Sequence, residues 1–432
     1  MQIKSIELEN FRCFKKIKID FNSHLTVLIG KNTSGKTTIL DVLSAYLNLI
    51  SSSFLKETSW NASTIDIFKT SDVSYHFNRN DIYSKLEIDD LTLVLQYQQN
   101  NDLEYKNKLF TYGMHSFFAI PDSFTHDFFT KFKKILQKYA TIFVYYPAHR
   151  FLYPTEENNL NNNISSDDVL SPYFYTTSII ENLRMDYSWL AEKIITETME
   201  KSETNNLNYR LPELETVRLA LSQMLFDKYE NPNFNIEENT ITLTEKKSNK
   251  IFNFSQLSHG FQSILTIIFD LSRRMAQAFC HNNKDFKPES ALSMPAVVLI
   301  DEIENHLHPK WQQDVLPCLL NTFPKTQFIV TTHSPQVLTS IEPKNIRFLD
   351  DPNSQSVETC TFGANSSDVL QFIFGVNPRP NNEVKKLLDE YLLLVNAGKG
   401  KSEEGLELRL RLEKWIHGDF MLHIADLFMK RL

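Results

Sequence analysis

Eight residues, Gly30-Lys-Asn-Thr-Ser-Gly35-Lys36-Thr37, narrow what this chain can fold into more than any other stretch. They follow the pattern G-x-x-x-x-G-K-[ST], which wraps backbone amides around a phosphate chain. The pattern works only between a strand and a helix, and both flanks are present. Leu25–Ile29 is a short apolar run, and Thr37–Leu49 repeats Ile39, Leu40, Val42, Leu43 and Tyr46 at helical spacing. The helix N-terminus then faces the anion. Gly30, Asn32, Ser34, Gly35 and Thr38 are the expected lining. Lys36 is set to neutralise β/γ-phosphate charge, and the Thr37 hydroxyl is set to ligate Mg2+. The chain holds only ten glycines in 432 residues, where ordinary usage gives about thirty. Glycine at both required positions therefore carries extra weight.

Three further stretches fall in an order that suits the same chemistry. Ala296–Ile300 is an apolar strand ending in Asp301 and Glu302. In a parallel sheet such an end lies beside the phosphate loop. Asp301 is placed to hold Mg2+ through its water shell, and Glu302 to act as general base on an attacking water. Phe328–Thr332 is a second strand, tipped by His333. As a neutral imidazole, His333 is a donor for a γ-phosphate. Leu257-Ser258-His259-Gly260-Phe261-Gln262-Ser263 opens a helix, and Ser258 with the Gly260 amide suits an anion at a helix N-terminus. An ordinary N-cap serine would give the same pattern.

Composition closes off other classes. Hydrophobic residues at 42% and charged residues at 23% are ordinary globular usage. The longest uncharged apolar run, of about ten residues near Ala291–Ile300, is too short to span a bilayer. No leader pattern opens the chain, so a cytoplasmic protein is expected. The four cysteines, Cys13, Cys280, Cys318 and Cys360, form no Cys-x-x-Cys pair. They suit neither a zinc site nor a disulfide frame. A net charge of −8 gives no global attraction to nucleic acid.

Four regions follow from the periodicity: 1–150 with the phosphate loop and antiparallel strands, a helical insertion over 151–235, 236–350 with the acidic and histidine-tipped strands, and a helical end over 351–432. Asp81–Gln98 and Glu104–Tyr112 read as a hairpin or meander, Lys131–Tyr139 as a helix, and Thr141–Tyr146 as a buried strand. Residues 155–168 read as a loop, Ser171–Lys228 as mainly helix, and Ile236–Phe254 as strand.

Together these motifs resemble the ATP-binding cassette (ABC) class of ATPases, in the branch that holds the SMC, Rad50, RecF and OLD proteins. The resemblance rests on Leu8-Glu-Asn10-Phe11-Arg12-Cys-Phe14, the phosphate loop (Walker A), Leu257–Gln262 (signature), Val297–Glu302 (Walker B), Glu304–Leu307 (D-loop) and His333 (switch). It covers residues 1–60 and 250–350. It implies an α/β P-loop ATPase head with an N-terminal antiparallel subdomain, a helical insertion and a helical C-terminal tail. ATP and Mg2+ are the implied cofactors, Lys36, Glu302 and His333 the catalytic set, and Arg12 a further nucleotide contact. Thr33 stands where the family often has glycine, His259 where many members have glycine, and Phe261 where transporters carry glutamine. Val144-Tyr-Tyr-Pro-Ala-His-Arg150 resembles the strand end joining the lobes. For Arg150 a site role and a structural role both stay open.

In this class the signature of one copy completes the ATP site of another, so a homodimer or higher oligomer is implied. Lys36 and Ser258 lie about 220 residues apart with no sustained heptads between them, which excludes a long coiled coil. Asp389, Glu390, Glu403 and Glu404 read as helix-surface charge, so no nuclease centre is expected. His306 and His308 read as D-loop contacts between subunits rather than metal ligands. The tail around Phe374-Gly-Val-Asn-Pro-Arg-Pro resembles ATPase subunits of bacterial antiphage systems, of the Septu PtuA type. That implies a separate HNH or Toprim nuclease and no membrane. Two alternatives stay open. One is a RecF-like repair ATPase that binds nucleic acid through Lys131-Phe-Lys-Lys134 with Lys138, or through Lys246-Lys247 with Lys250. The other is a clamp that holds ATP without turnover.

Overall fold

The computed structural model describes residues 1–55, 82–89, 91–99, 105–113, 116–120, 141–148, 187–225, 228–235, 240–282, 286–350, 353–357, 359–416 and 418–431. Arg150, the Lys131–Lys138 track and the helix expected over Lys131–Tyr139 lie outside these residues, as does the loop expected over 155–168.

The N-terminal strands β1 (Ile3–Phe11) and β2 (Phe14–Asp20) form a hairpin in which Phe11 pairs with Phe14. Strand β3 (Leu25–Gly30), buried along its whole length, leads through the phosphate loop into helix α1 (Lys36–Leu55). Strands β4 (Ile82–Ile88), β5 (Leu91–Gln99), β6 (Tyr105–Gly113) and β7 (Ser116–Ile120) follow. They extend the hairpin into an antiparallel sheet of order β2-β1-β4-β5-β6-β7. Asp81–Gln98, expected to form a hairpin or meander with Glu104–Tyr112, thus holds two strands of that meander, separated at Asp89, which adopts φ 45°. Alternating Ile3, Ile6, Leu8, Ile17 and Ile19 face Ile39, Leu40, Leu43 and Tyr46 of α1 in one core. The antiparallel sheet is therefore fastened to the helix that leaves the phosphate loop.

Strand β8 (Ile142–Tyr146) enters the central sheet. Helices α2 (Tyr187–Glu203) and α3 (Pro212–Met224) come next. They are joined by Glu197, whose carboxylate accepts from Arg218 at 2.9 and 3.0 Å, from Lys201 at 2.8 Å and from the Leu211 amide at 2.9 Å. Burial alone would raise its pKa, but these partners outweigh burial and bring it to about 2. Strands β9 (Tyr229–Asn235), β10 (Thr240–Glu245) and β11 (Ile251–Asn253) form a small antiparallel sheet, β11-β10-β9. Strand character thus begins at Tyr229, seven residues before the expected Ile236. The segment Tyr-Glu-Asn-Pro-Asn-Phe-Asn hides it, because only Tyr229 and Phe234 are buried.

Helix α4 (His259–Asn282) carries the signature stretch at its start and is packed against α3. After the short α5 (Pro288–Leu292), strand β12 (Ala296–Ile300), helix α6 (Pro309–Thr322), strand β13 (Thr326–Thr331), the turn α7 (Pro335–Leu338) and strands β14 (Ile346–Asp350) and β15 (Asn353–Ser356) complete the central sheet. Its order is β15-β14-β3-β13-β12-β8. All neighbours are parallel except the β14–β15 pair. Apolar runs such as Ala-Val-Val-Leu-Ile suit strands buried on both faces. The register puts Ile300 beside Val330 and Leu28 beside Thr331, so β3, β12 and β13 end at one level.

Residues Met1–Ser366 form one compact unit and Ser367–Leu432 another. Helix α8 (Ser366–Phe372) runs across the boundary. In the second unit α9 (Glu383–Asn396), α10 (Glu403–Trp415) and α11 (Phe420–Arg431) bury Leu388, Tyr391, Val395, Leu408, Leu412 and Leu422 together. Asp389, Glu390, Glu403 and Glu404 lie exposed on α9 and α10. The four cysteines are free thiols. No helix among the described residues is long and apolar enough to cross a membrane.

Candidate functional site

The phosphate loop is shaped by close approaches that exclude side chains. Gly30 sits at φ 153°, and a Cβ there would lie 2.5 Å from the Leu349 carbonyl and 2.6 Å from Ser34 Oγ. Gly35 sits at φ 89°, and its Cβ would lie 2.2 Å from Phe14 Cζ and 2.7 Å from Cys13 Sγ. The tip of the β1–β2 hairpin therefore lies against the loop, which explains why the opening Leu8–Phe14 stretch belongs with it. Arg12, at φ 46°, pairs with Asp41 of α1 at 2.7 Å. Thr33, where glycine is usual, takes φ 72°. A β-branched residue is costly in that region.

Lys36 is buried, and its ammonium donates to the carbonyls of Gly30 at 3.1 Å and Lys31 at 2.8 Å. Burial lowers its pKa, opposed by Asp301, Glu302 and Glu304. Ser34 Oγ is buried without a hydrogen-bond partner among the described residues. A buried hydroxyl of that kind is costly unless something accepts or donates there. Beside a bare-backbone cradle and a lysine, it fits a phosphate oxygen. Asn32 is exposed and Thr38 half-buried on the same turn.

Opposite the loop, Thr37 Oγ1 donates to Asp301 Oδ2 at 3.0 Å. A hydroxyl and a carboxylate at that separation are oxygen donors of the kind Mg2+ takes. The other carboxylate oxygen, Asp301 Oδ1, accepts from Thr331 Oγ1 at 2.5 Å. Glu302 is half-buried at φ 48°, and its amide donates to Thr331 Oγ1 at 2.7 Å. Glu304 holds the end of β13: its carboxylate accepts from the His333 amide at 2.6 Å and from Thr332 Oγ1 at 2.7 Å. His333 is half-buried, and burial and then the Lys36 charge lower its pKa, against Glu304, Glu302 and Asp301. Its imidazole is neutral at pH 7. Asn305 Nδ2 donates to the Ala148 carbonyl at 2.9 Å, tying the same turn to the end of β8.

Lys36, Thr37, Asp301, Glu302 and His333 thus come together at the ends of β3, β12 and β13. Ser258 and Gly260 do not join them through any hydrogen bond among the described residues. Ser258 and His259 are exposed at the start of α4. Gly260 is buried against the D-loop turn, where a Cβ would lie 2.0 Å from the His306 carbonyl oxygen. Phe261 packs between Tyr229 and Trp311, with ring centroids at 5.0 and 4.9 Å. The exposed His308 caps α6 by accepting from the Lys310 amide. Thr331 and Glu304 are the members that motif reading missed as site residues. The threonine pair before His333 and the acid two places after Glu302 were the available signals.

Residues 1–338 match the family described as AAA ATPase domain. The chain is 27% identical to the Retron Ec83 probable ATPase of Escherichia coli, over 96% of this chain and 84% of that protein. It is 26% identical to the Septu protein PtuA of Bacillus mycoides, over 96% of this chain and 50% of that one. The SMC head domain from Thermotoga maritima superposes with a TM-score of 0.43 at 15% identity, covering 83% of this chain and 100% of the other. With the phosphate loop, the acidic strand and His333 all inside the matched residues, this chain belongs to the AAA ATPase domain family.

Proposed function

We propose that this chain binds and hydrolyses ATP as a subunit of a bacterial antiphage system, and that ATP-dependent pairing of its copies controls a separate nuclease. The observation that carries the ATPase reading is the meeting of Lys36, Thr37, Asp301, Glu302 and His333 beside an unpartnered Ser34 hydroxyl. Thr37 and Asp301 would hold Mg2+, and the loop amides with Lys36 would hold the phosphates. When bound, the metal supplies positive charge against the phosphate oxygens. Glu302 takes the proton of the attacking water, and His333 donates from its neutral ring to the terminal phosphate. The antiphage setting is supported by similarity to a retron ATPase and to PtuA along nearly the whole chain. Pairing is supported by the exposed signature start, Ser258 and His259, a helix N-terminus suited to a second copy's nucleotide. The PtuA resemblance implies an HNH or Toprim nuclease as the partner.

Two variants test the enzyme reading. Lys36→Ala should lose ATP binding. Glu302→Gln should bind ATP normally and turn it over about a hundredfold more slowly or worse. Phosphate release with equilibrium binding checks both, and a wild type as slow as Glu302→Gln would leave a clamp and not an enzyme.

One observation favours a second reading, direct contact with nucleic acid. Lys246 lies across from Lys228, whose carbonyl accepts its amide at 3.0 Å, with Lys247 and Lys250 in the same turn. All four are exposed, and none has an ion-pair partner among the described residues. Like charges facing across strands cost stability unless an anion lies between them. Replacing all four by Gln should reduce the slope of log affinity against log salt for single-stranded DNA by about three. An unchanged slope rejects this reading.

A further inference from the structure

We propose that Thr331 is the positioning residue of this site, the hydroxyl that sets both the metal-holding carboxylate and the general-base residue beside it. The assignment rests on the ATPase reading above and adds a residue to it. Thr331 is the last residue of β13 and is fully buried. Its Oγ1 donates to Asp301 Oδ1 at 2.5 Å and accepts from the Glu302 amide at 2.7 Å. Its carbonyl accepts from the Ile303 amide at 3.1 Å. One residue thus brackets three consecutive positions of the turn that follows β12.

The direction of these bonds is fixed by chemistry. An amide nitrogen only donates, so the hydroxyl must accept from Glu302 and spend its single proton on Asp301. Asp301 is then held with Oδ2 turned to Thr37 Oγ1, at 3.0 Å. The same hydroxyl satisfies the amide of Glu302, whose backbone sits at φ 48°. That left-handed conformation is costly for a side chain other than glycine and persists only where its surroundings hold it. Valine has the same shape and neither bond. In a Thr331→Val variant Asp301 Oδ1 loses the hydroxyl that donates to it, and the Glu302 amide loses the hydroxyl that accepts from it.

The test reads metal directly. Mn2+ binding by electron paramagnetic resonance, with ATP present, is compared for wild type, Thr331→Val and Thr331→Ser, alongside ATP binding in EDTA. Thr331→Val should bind Mn2+ about tenfold more weakly at unchanged metal-free ATP affinity, and Thr331→Ser should restore most of it. Should the valine variant fail to fold, Thr331→Ala takes its place in the same comparison. Equal Mn2+ affinity in wild type and valine variant overturns the assignment and leaves the ATPase reading standing. Equal loss in the valine and serine variants also overturns it, because packing and not the hydroxyl would be responsible. A wild type that binds no Mn2+ with ATP overturns the metal–nucleotide reading, and this assignment with it.

Discussion

Lys36 and His333 stand 297 positions apart in sequence, yet the Lys36 charge bears on the protonation of His333. The Lys36 charge helps hold the His333 ring neutral, after burial, while three carboxylates oppose it. The net direction is down from the ordinary 6.5. A lowered histidine pKa means the proton binds only as pH falls below that value. Turnover should therefore hold level from pH 8 to 6.5 and decline only beneath, so far as His333 governs it. His333→Gln keeps a donor that does not titrate, and its turnover, though lower, should decline at a lower pH. A pH–rate profile checks this, and a wild-type limb centred above 6.5 would contradict it. At this scale the sequence was readable where a role depends on spacing. Gly30, Gly35, Lys36 and Thr37 sit within eight residues. Thr331 and Glu304 were not readable as site members, because their partners lie about thirty residues away and meet only once β12 and β13 pair.

Among the elements, the start of α4 and the turn after β12 behave as one piece. Gly260 has no room for a Cβ against the His306 carbonyl, and Phe261 is wedged between Tyr229 and Trp311. The glycine thus serves close packing within one chain, beyond any anion contact expected from its position in a signature stretch. Gly260→Ala must push the two segments apart. Its expected cost is about 1–3 kcal/mol of stability, with turnover down at least tenfold and ATP binding at the phosphate loop retained. Chemical denaturation with nucleotide titration measures both, and a variant as stable and as active as wild type would refute the coupling. Apolar strands β3, β12 and β13 were plain from their runs of buried side chains. Strand β9 was not, since asparagine and proline dominate it and its pairing to β10 comes from the small sheet around it.

For the whole molecule, the order of motifs pointed to an α/β head, and the head's parallel sheet with its antiparallel companion agrees with that expectation. The proposed pairing of copies turns on which groups one chain keeps apart. Its phosphate loop, acid pair and switch histidine are gathered in one place, while its signature serine faces outward at another helix start. If each copy completes the other's site, two different defects can rescue each other. A Lys36→Ala copy spoils its own phosphate loop, and a Ser258→Arg copy spoils the signature it offers. In a mixed pair one site carries both defects and the other carries none. Mixing equal amounts of the two inactive variants should restore about a quarter of wild-type turnover, as half the pairs are mixed and each has one intact site of two. ATP turnover of that mixture, with both variants shown to be folded, is the most direct measurement. Recovery to about that level is the expected result, and a mixture as inactive as either variant alone would contradict shared sites.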